Sequence, residues 1–386
     1  MKKAFYMMAA AAIALSSCSS EETTDVAKSS AITFRPTVGL NSRGVELTSD
    51  NLNEMWVTGF YQKADEVYFS DLKYTKEKGT ANTFIPSAPV FWQDGRTYKF
   101  VAISPAKSEW PTGLTITREN VTCENFEPKA DISAQKDMII KAVEANNEQW
   151  GKELELNFKH ILSQIQIKVK NGNENLVYNI KAVRIKSVVG KKKLTYATTT
   201  NTSTWEDIAG VNSDAQYTLT YANPYKLDGK YTTELTLTSA DATVENGGGA
   251  MLIPQNVTAW NGAKVDDNNA YNGGTYISIY LNVKMASGNK FMYPAGAQGD
   301  KTYGWVAIPV PAINWEEGNK YIYTLDMSTG CGKVDPVDPG ENVNPVGKDP
   351  NAPKDPEKGD NIFGKAIKFT VKVDEWTSKI QNKIDM

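Results

Sequence analysis

Short segments in which apolar and polar residues alternate recur along this 386-residue chain, with turn-forming residues between them and little helical periodicity. The pattern predicts strands at 56–60, 98–103, 153–158, 163–169, 178–188, 216–221, 234–238, 276–283, 305–310 and 321–325. Tyr, Thr, Val, Ile and Trp are abundant, and such side chains fit a pleated, half-buried surface. Turn clusters fall about 8 to 15 residues apart, the spacing of sandwiches rather than of βαβ units. The chain therefore reads as all-β. Asn171-Gly172, Asp228-Gly229 and Asn272-Gly273 supply turn chemistry suited to positive φ.

Two distant segments share one pattern. Ala31-Ile32-Thr33-Phe34-Arg35-Pro36-Thr37-Val38 places Ile32, Phe34 and Val38 on one face; Ala366-Ile367-Lys368-Phe369-Thr370-Val371-Lys372-Val373 does the same with Ile367, Phe369, Val371 and Val373. Such alternation is common strand vocabulary. A chain carrying a strand and a second strand suited to the same seat also suggests subunits that exchange strands. Pro36 occupies the register of Val371, and proline has no N–H for a ladder, so the first segment is the weaker fit. Burying the four apolar residues of the second contributes roughly 1.5 to 3 kcal/mol each before ordering costs.

At the N-terminus Lys2 and Lys3 precede an apolar run from Ala4 to Leu15, the pattern of a signal peptide over 1–17. The run ends in Leu15-Ser16-Ser17-Cys18, a bacterial lipobox, which predicts a diacylated Cys18 as first mature residue and a linker over 18–30. Glu21 and Glu22 resemble the acidic signal that sends Bacteroidota lipoproteins to the cell surface. The remaining roughly 370 residues fit two domains, 31–160 and 161–331, with a boundary near Phe158 to Leu162. Residues 332–365 are crowded with Pro, Asp, Gly, Asn and Lys and read as a linker unable to build a core. At about 3.1 Å per residue an extended linker of this length reaches on the order of 100 Å. The last segment, 366–386, can then dock on its own domain or on a neighbouring molecule.

Lys and Arg total 42 against 45 Asp and Glu, so nothing recommends a nucleic-acid surface. The one compact basic cluster, Lys191 to Lys193, reads as a solvated hairpin tip. Cys123 and Cys331 read as two free thiols rather than a pair, with no disulfide framework and no cysteine metal signature. His160 is the only histidine, and beside Phe158 and Leu162 it reads as a packed junction residue. No H-E-x-x-H, G-x-S-x-G, P-loop or dinucleotide fingerprint appears. Carboxylate pairs of glycoside hydrolases have no fixed spacing and stay open on sequence alone. Asp266-Asp267-Asn268-Asn269 lacks the alternating order of a calcium loop and reads as solvated. The expectation is a non-enzyme with no cofactor and no metal.

Across essentially its whole length the chain resembles the fimbrillins, the pilin family of Bacteroidota lipoproteins that build type V fimbriae. The resemblance is carried by the lipobox at Cys18, the strand 32–38 followed by Asn41-Ser42-Arg43-Gly44, and the run from Phe91-Trp92 through Tyr98 to Pro105. Gln135-Lys136-Asp137-Met138, Leu156 to Ser163, Met251-Leu252-Ile253-Pro254-Gln255 and the closing Phe369 to Trp376 complete it. It implies two transthyretin-like β-sandwich domains in tandem, exported as a lipidated precursor anchored in the outer membrane. It further implies an arginine-specific protease cutting between Arg43 and Gly44, release of the strand bearing Ile32, Phe34, Pro36 and Val38, and entry of another subunit's donor strand. Here the matching donor residues are Ile367, Phe369, Val371 and Val373. A donor strand and a cleavable Arg43 together match a stalk subunit. The alternative is a surface lipoprotein that binds glycan or a host ligand through exposed tryptophans and never polymerises.

Overall fold

The alternating segments of the N-terminal half form strands in a computed structural model that describes residues 31–38, 47–62, 66–80, 82–230, 234–244, 247–266, 268–288, 290–298, 302–345, 350–362 and 367–375. These are β1 (Phe34–Val38), β2 (Glu54–Tyr61), β3 (Val67–Lys76), β4 (Phe84–Pro86), β5 (Thr97–Ser104), β6 (Thr115–Ile116), β7 (Asn120–Phe126), β8 (Ile139–Asn146) and β9 (Leu154–His160). All but β6 and β7 close into a barrel in the order β1-β4-β3-β2-β5-β8-β9. In place of the expected sandwich, this half is a closed barrel, because β1 lies between β4 and β9 and joins the ends of the sheet. Ile32, Phe34, Pro36 and Val38 turn inward while Arg35 and Thr37 face solvent, as the alternation predicts. Phe34, Tyr74, Phe84, Tyr98, Phe100 and Leu156 are the centre of the barrel core.

The second half supplies β10 (Ser163–Lys170), β11 (Leu176–Val188), β12 (Lys192–Ala197), β13 (Thr202–Asp207), β14 (Ala215–Leu227), β15 (Glu234–Thr236), β16 (Ala250–Leu252) and β17 (Gln255–Val257). It continues with β18 (Tyr276–Met285), β19 (Phe291–Tyr293), β20 (Gly304–Pro309), β21 (Ile313–Trp315), β22 (Asn319–Asp326), β23 (Lys333–Val334) and β24 (Lys368–Glu375). One sheet runs β15-β10-β22-β24 with β16 also on β10; the other runs β14-β11-β18-β20-β23 with β19 on β18. Ile165, Ile167, Tyr323 and Leu325 of the first sheet meet Ile180, Val183, Ile279 and Val306 of the second in one core. In each half the first strand runs parallel to a late one, β1 to β9 and β10 to β22.

Ile161 and Leu162 are the crossing between β9 and β10. The halves are nevertheless not self-contained. β12 leaves the second half to pair with β7, Leu194 opposite Cys123, in a sheet β13-β12-β7-β6. β6 is only two residues long, and β7 would otherwise present an open edge. A third core joins Val121, Cys123, Ile140, Leu162, Leu194, Tyr196 and Met251 across the junction. The cluster Lys191 to Lys193 is accordingly no hairpin tip: it leads into β12, where Lys191 pairs with Glu127, Lys192 with Asp207 and Lys193 with Glu124 and Glu206.

The extended tether expected over 332–365 is also corrected. Val334, Val343 and Ile362 enter the core of the second half, and β23 pairs with β20. Proline removes ladder donors, but buried aspartates supply acceptors instead: Asp335 takes the N–H of Val337 and Asp338, and Asp355 those of Ala295 and Asn344. Of the three turn glycines singled out above, only Gly273 takes positive φ, at 73°. Gly229 is required for closeness, since a Cβ there would lie 2.2 Å from the Glu174 Cα.

Candidate functional site

The seat of β1 is asymmetric. Against β9 it forms a parallel ladder from Phe34 opposite Leu154 to Val38 opposite Phe158. The Leu154 N–H donates to the Thr33 carbonyl at 3.0 Å, which sets the phase: Thr33, Arg35 and Thr37 bond to β9, and the backbone of Ile32, Phe34, Pro36 and Val38 turns the other way. On that other side Ile32 donates to the Val90 carbonyl at 2.8 Å, and Val38 donates to Ser49 Oγ at 2.8 Å. β4 itself meets β1 only where Phe34 bridges Phe84. Two residues further the antiparallel register would bring Pro36 opposite Asn82, where proline has no N–H to give. The backbone ladder stops, and the Asn82 side chain donates to the Pro36 carbonyl instead.

Side chains make the seat deep. The Phe34 ring stands edge-on to Tyr74 at 4.9 Å and to Phe100 at 5.5 Å, and is fully buried. Burial raises the Tyr74 phenol well above its ordinary value, so the socket stays neutral. Arg35 pairs with Glu153 at 2.5 Å on the exposed face, a contact worth little in water. Ser49, Asn82 and Val90 were not legible as partners of β1, because each acts through a loop or a single polar group that carries no periodic signal.

The matching C-terminal segment sits elsewhere and in the opposite sense. β24 runs antiparallel to β22, from Lys368 opposite Asp326 to Glu375 opposite Asn319, at the edge of its sheet. Ile367 is buried, Phe369 and Val371 are half-buried, and Val373 is 45% exposed. Two segments of like sequence therefore occupy unequal seats, one enclosed between neighbours and one applied to an edge.

Cys18, Arg43, Gly44, Asp267, Ala366 and residues 376–386 lie outside the described residues, as does all of 1–30. Arg35 holds its backbone within the β1 ladder. Cys123 and Cys331 are free and buried. His160 is a packed junction residue, its Nδ1 2.7 Å from Asp137 Oδ2, which also accepts the Leu47 N–H at 3.1 Å. Asp266 and Asn269 bond to each other through their backbones. Among the described residues no three His, Cys, Asp or Glu side chains gather as metal ligands. No described tryptophan is exposed, and Trp92, Trp260 and Trp315 are buried. The arrangement positions strands.

The sequence profile of the fimbrillin-like family matches residues 48–342. Among solved structures the chain is similar to a fimbrial protein from Bacteroides vulgatus, with 15% identity, 89% of this chain and 99% of that one covered, and a TM-score of 0.49. A candidate cell adhesion protein from Bacteroides ovatus matches with 13% identity, coverage of 91% and 99%, and a TM-score of 0.45. No curated protein sequence matches the chain.

Proposed function

The chain belongs to the fimbrillin-like family, and from that premise we propose that it is a structural subunit of a surface fimbria, serving adhesion as a stalk subunit assembled by strand exchange. In this reading the precursor is exported as a lipoprotein acylated at Cys18 and held at the outer membrane. An arginine-specific protease cuts between Arg43 and Gly44. Each half is a variant of the transthyretin-like sandwich, the first sealed by β1.

One observation carries the proposal: the strand that closes the barrel, β1, lies on the N-terminal side of Arg43. Before the cut, its covalent link keeps it at a high effective concentration, on the order of millimolar, beside its seat. After the cut only non-covalent contacts retain it: the ladder to β9, the bridge to β4, the hydrogen bonds with Ser49, Asn82 and Val90, the Arg35–Glu153 pair and the apolar contacts. Its departure leaves an open groove of unpaired backbone and apolar sockets, which favours capture of a strand with matching alternation. β24 has that alternation, and it exchanges a half-exposed edge for an enclosed seat. Each apolar side chain that becomes fully buried contributes about 1.5 to 3 kcal/mol, offset by ordering costs.

N-terminal sequencing of the surface-exposed protein tests this. A start at Gly44, and loss of SDS-resistant ladders in Arg43→Ala, are the expected results. Ladders formed by Arg43→Ala at the ordinary rate, or a surface form that begins upstream of Ala31, would overturn it.

A further inference from the structure

The segment from Gly332 to Ile362 runs along the edge of the second half, with Val334, Val343 and Ile362 set into its core, and returns to its own starting point. Its ends pair antiparallel, Lys333 bridging Asn361. Ile362 donates to the Gly332 carbonyl at 3.1 Å, Val334 to the Asp360 carbonyl at 2.9 Å, and Gly359 to the Val334 carbonyl at 2.9 Å. Beyond this neck lie 24 residues, Asp335 to Lys358, of which 335–345 and 350–358 are described and form a loop over the sheet. Its first residue locks it to the sheet. The fully buried Asp335 carboxylate accepts from Arg184 Nη2 at 2.9 Å, Ser278 Oγ at 2.8 Å and the Tyr276 hydroxyl at 3.0 Å. The Arg184 guanidinium in turn lies 3.8 Å from the centre of the Trp305 ring.

We propose that this loop is a store of releasable length: tension applied through β24 opens the neck, and the edge strand β23 and the loop come away before the β10–β22 ladder yields. Its use in a fimbria rests on the reading above, whereas its mechanics do not. Tension arriving from residue 367 reaches Ile362 and is balanced through Gly332 by β22. Ile362 and Gly332 lie side by side, so the neck bonds are loaded one after another. β22, by contrast, is held by β10 over a parallel ladder running from Gln164–Lys320 to Lys170–Asp326, whose bonds share the load. The neck is the weaker element, and the Asp335–Arg184 lock, together with buried Val343 and the Ala295–Asp355 bond, then sets the force at which the loop peels away. At about 3.4 Å per residue the loop releases about 80 Å of chain.

Single-molecule extension of the full chain tests this, with handles at the C-terminus and at a surface cysteine in the N-terminal half (Asp94→Cys). The expected trace shows β24 peeling, then a reversible step of about 80 Å, then rupture of the sheets at higher force. In a Lys333→Cys, Asn361→Cys variant the two residues form a cross-strand pair suited to a disulfide. Its oxidised form should lack the step and regain it on reduction, and Asp335→Asn should lower the force of the step. A trace without the step, or a step indifferent to the oxidised staple, overturns the proposal. Ladder formation after proteolysis, scored on the same preparation, separates the two readings. Ladders without the step overturn this inference alone, and the step without ladders overturns the fimbrial reading alone.

Discussion

Asn82 reaches the Pro36 carbonyl with its side chain at the point where the backbone ladder between β1 and β4 stops. The β1–β4 seam is therefore the weak side of the barrel, and proline is the reason. Pro36→Val restores an N–H opposite Asn82 and keeps an apolar side chain in the core. One added hydrogen bond is worth about 0.5 to 1.5 kcal/mol. The uncut protein should unfold at higher denaturant by that amount, and assembly after the cut should slow by roughly 2- to 10-fold, which light scattering would follow. Unchanged assembly kinetics would count against this account of the seam.

The unequal seats of β1 and β24 predict unequal costs for the same truncation. Phe34→Ala empties a fully enclosed aromatic socket and should cost about 3 to 5 kcal/mol in urea unfolding of the uncut chain. Phe369→Ala removes a half-buried ring at a sheet edge and should cost about 1 kcal/mol. Equal costs would contradict the seating described.

Asp335 ties acid stability to the loop it locks. Burial alone would raise its carboxyl, but the charge of Arg184, the Asp338 N–H and hydrogen bonds from Arg184 and Ser278 together hold it below the ordinary aspartate value. A carboxylate held lower in the folded than in the unfolded chain stabilises above its unfolded value, near 3.9 for aspartate. That contribution is lost as pH falls through the folded value. The stability gap between the wild type and Asp335→Asn should thus be constant near neutral pH and narrow below about pH 3.9. Near neutral pH, removing one partner of a buried pair costs about 3 to 5 kcal/mol. Urea midpoints measured from pH 3 to 7 check both statements.

Cys123 and Cys331 should be inert to thiol reagents in the folded chain. Burial pushes both thiols up, Cys331 the further, so little thiolate exists at pH 8. A form beginning at Gly44 should bind no reagent when native and two equivalents when unfolded. Rapid labelling of the native protein would show that one of the two sites is open.

Each of the ten expected segments overlaps a strand, with 153–158, 234–238 and 305–310 each running past an end of theirs. β3, β7, β8, β12 and β13 escaped notice, and β7 pairs with β12 of the other half, a partnership that no local pattern encodes. Period two told which residues of β1 and β24 share a face, but it carries no information on strand direction, and one proved parallel and the other antiparallel. The Pro-rich stretch misled because its apolar residues, Val334, Val343 and Ile362, stand singly, and because aspartate side chains replace the missing ladder partners.

The most direct test follows the fate of the severed closing strand. Purified subunits are cut at Arg43 under native conditions, and polymer and supernatant are separated and examined by mass spectrometry. The account predicts that the peptide containing residues 31–43 appears in the supernatant in proportion to polymer formed, while residues 367–375 become protease-resistant in the polymer. Polymer that retains 31–38 in its barrels, or cut subunits that release the peptide and remain monomeric, would contradict it.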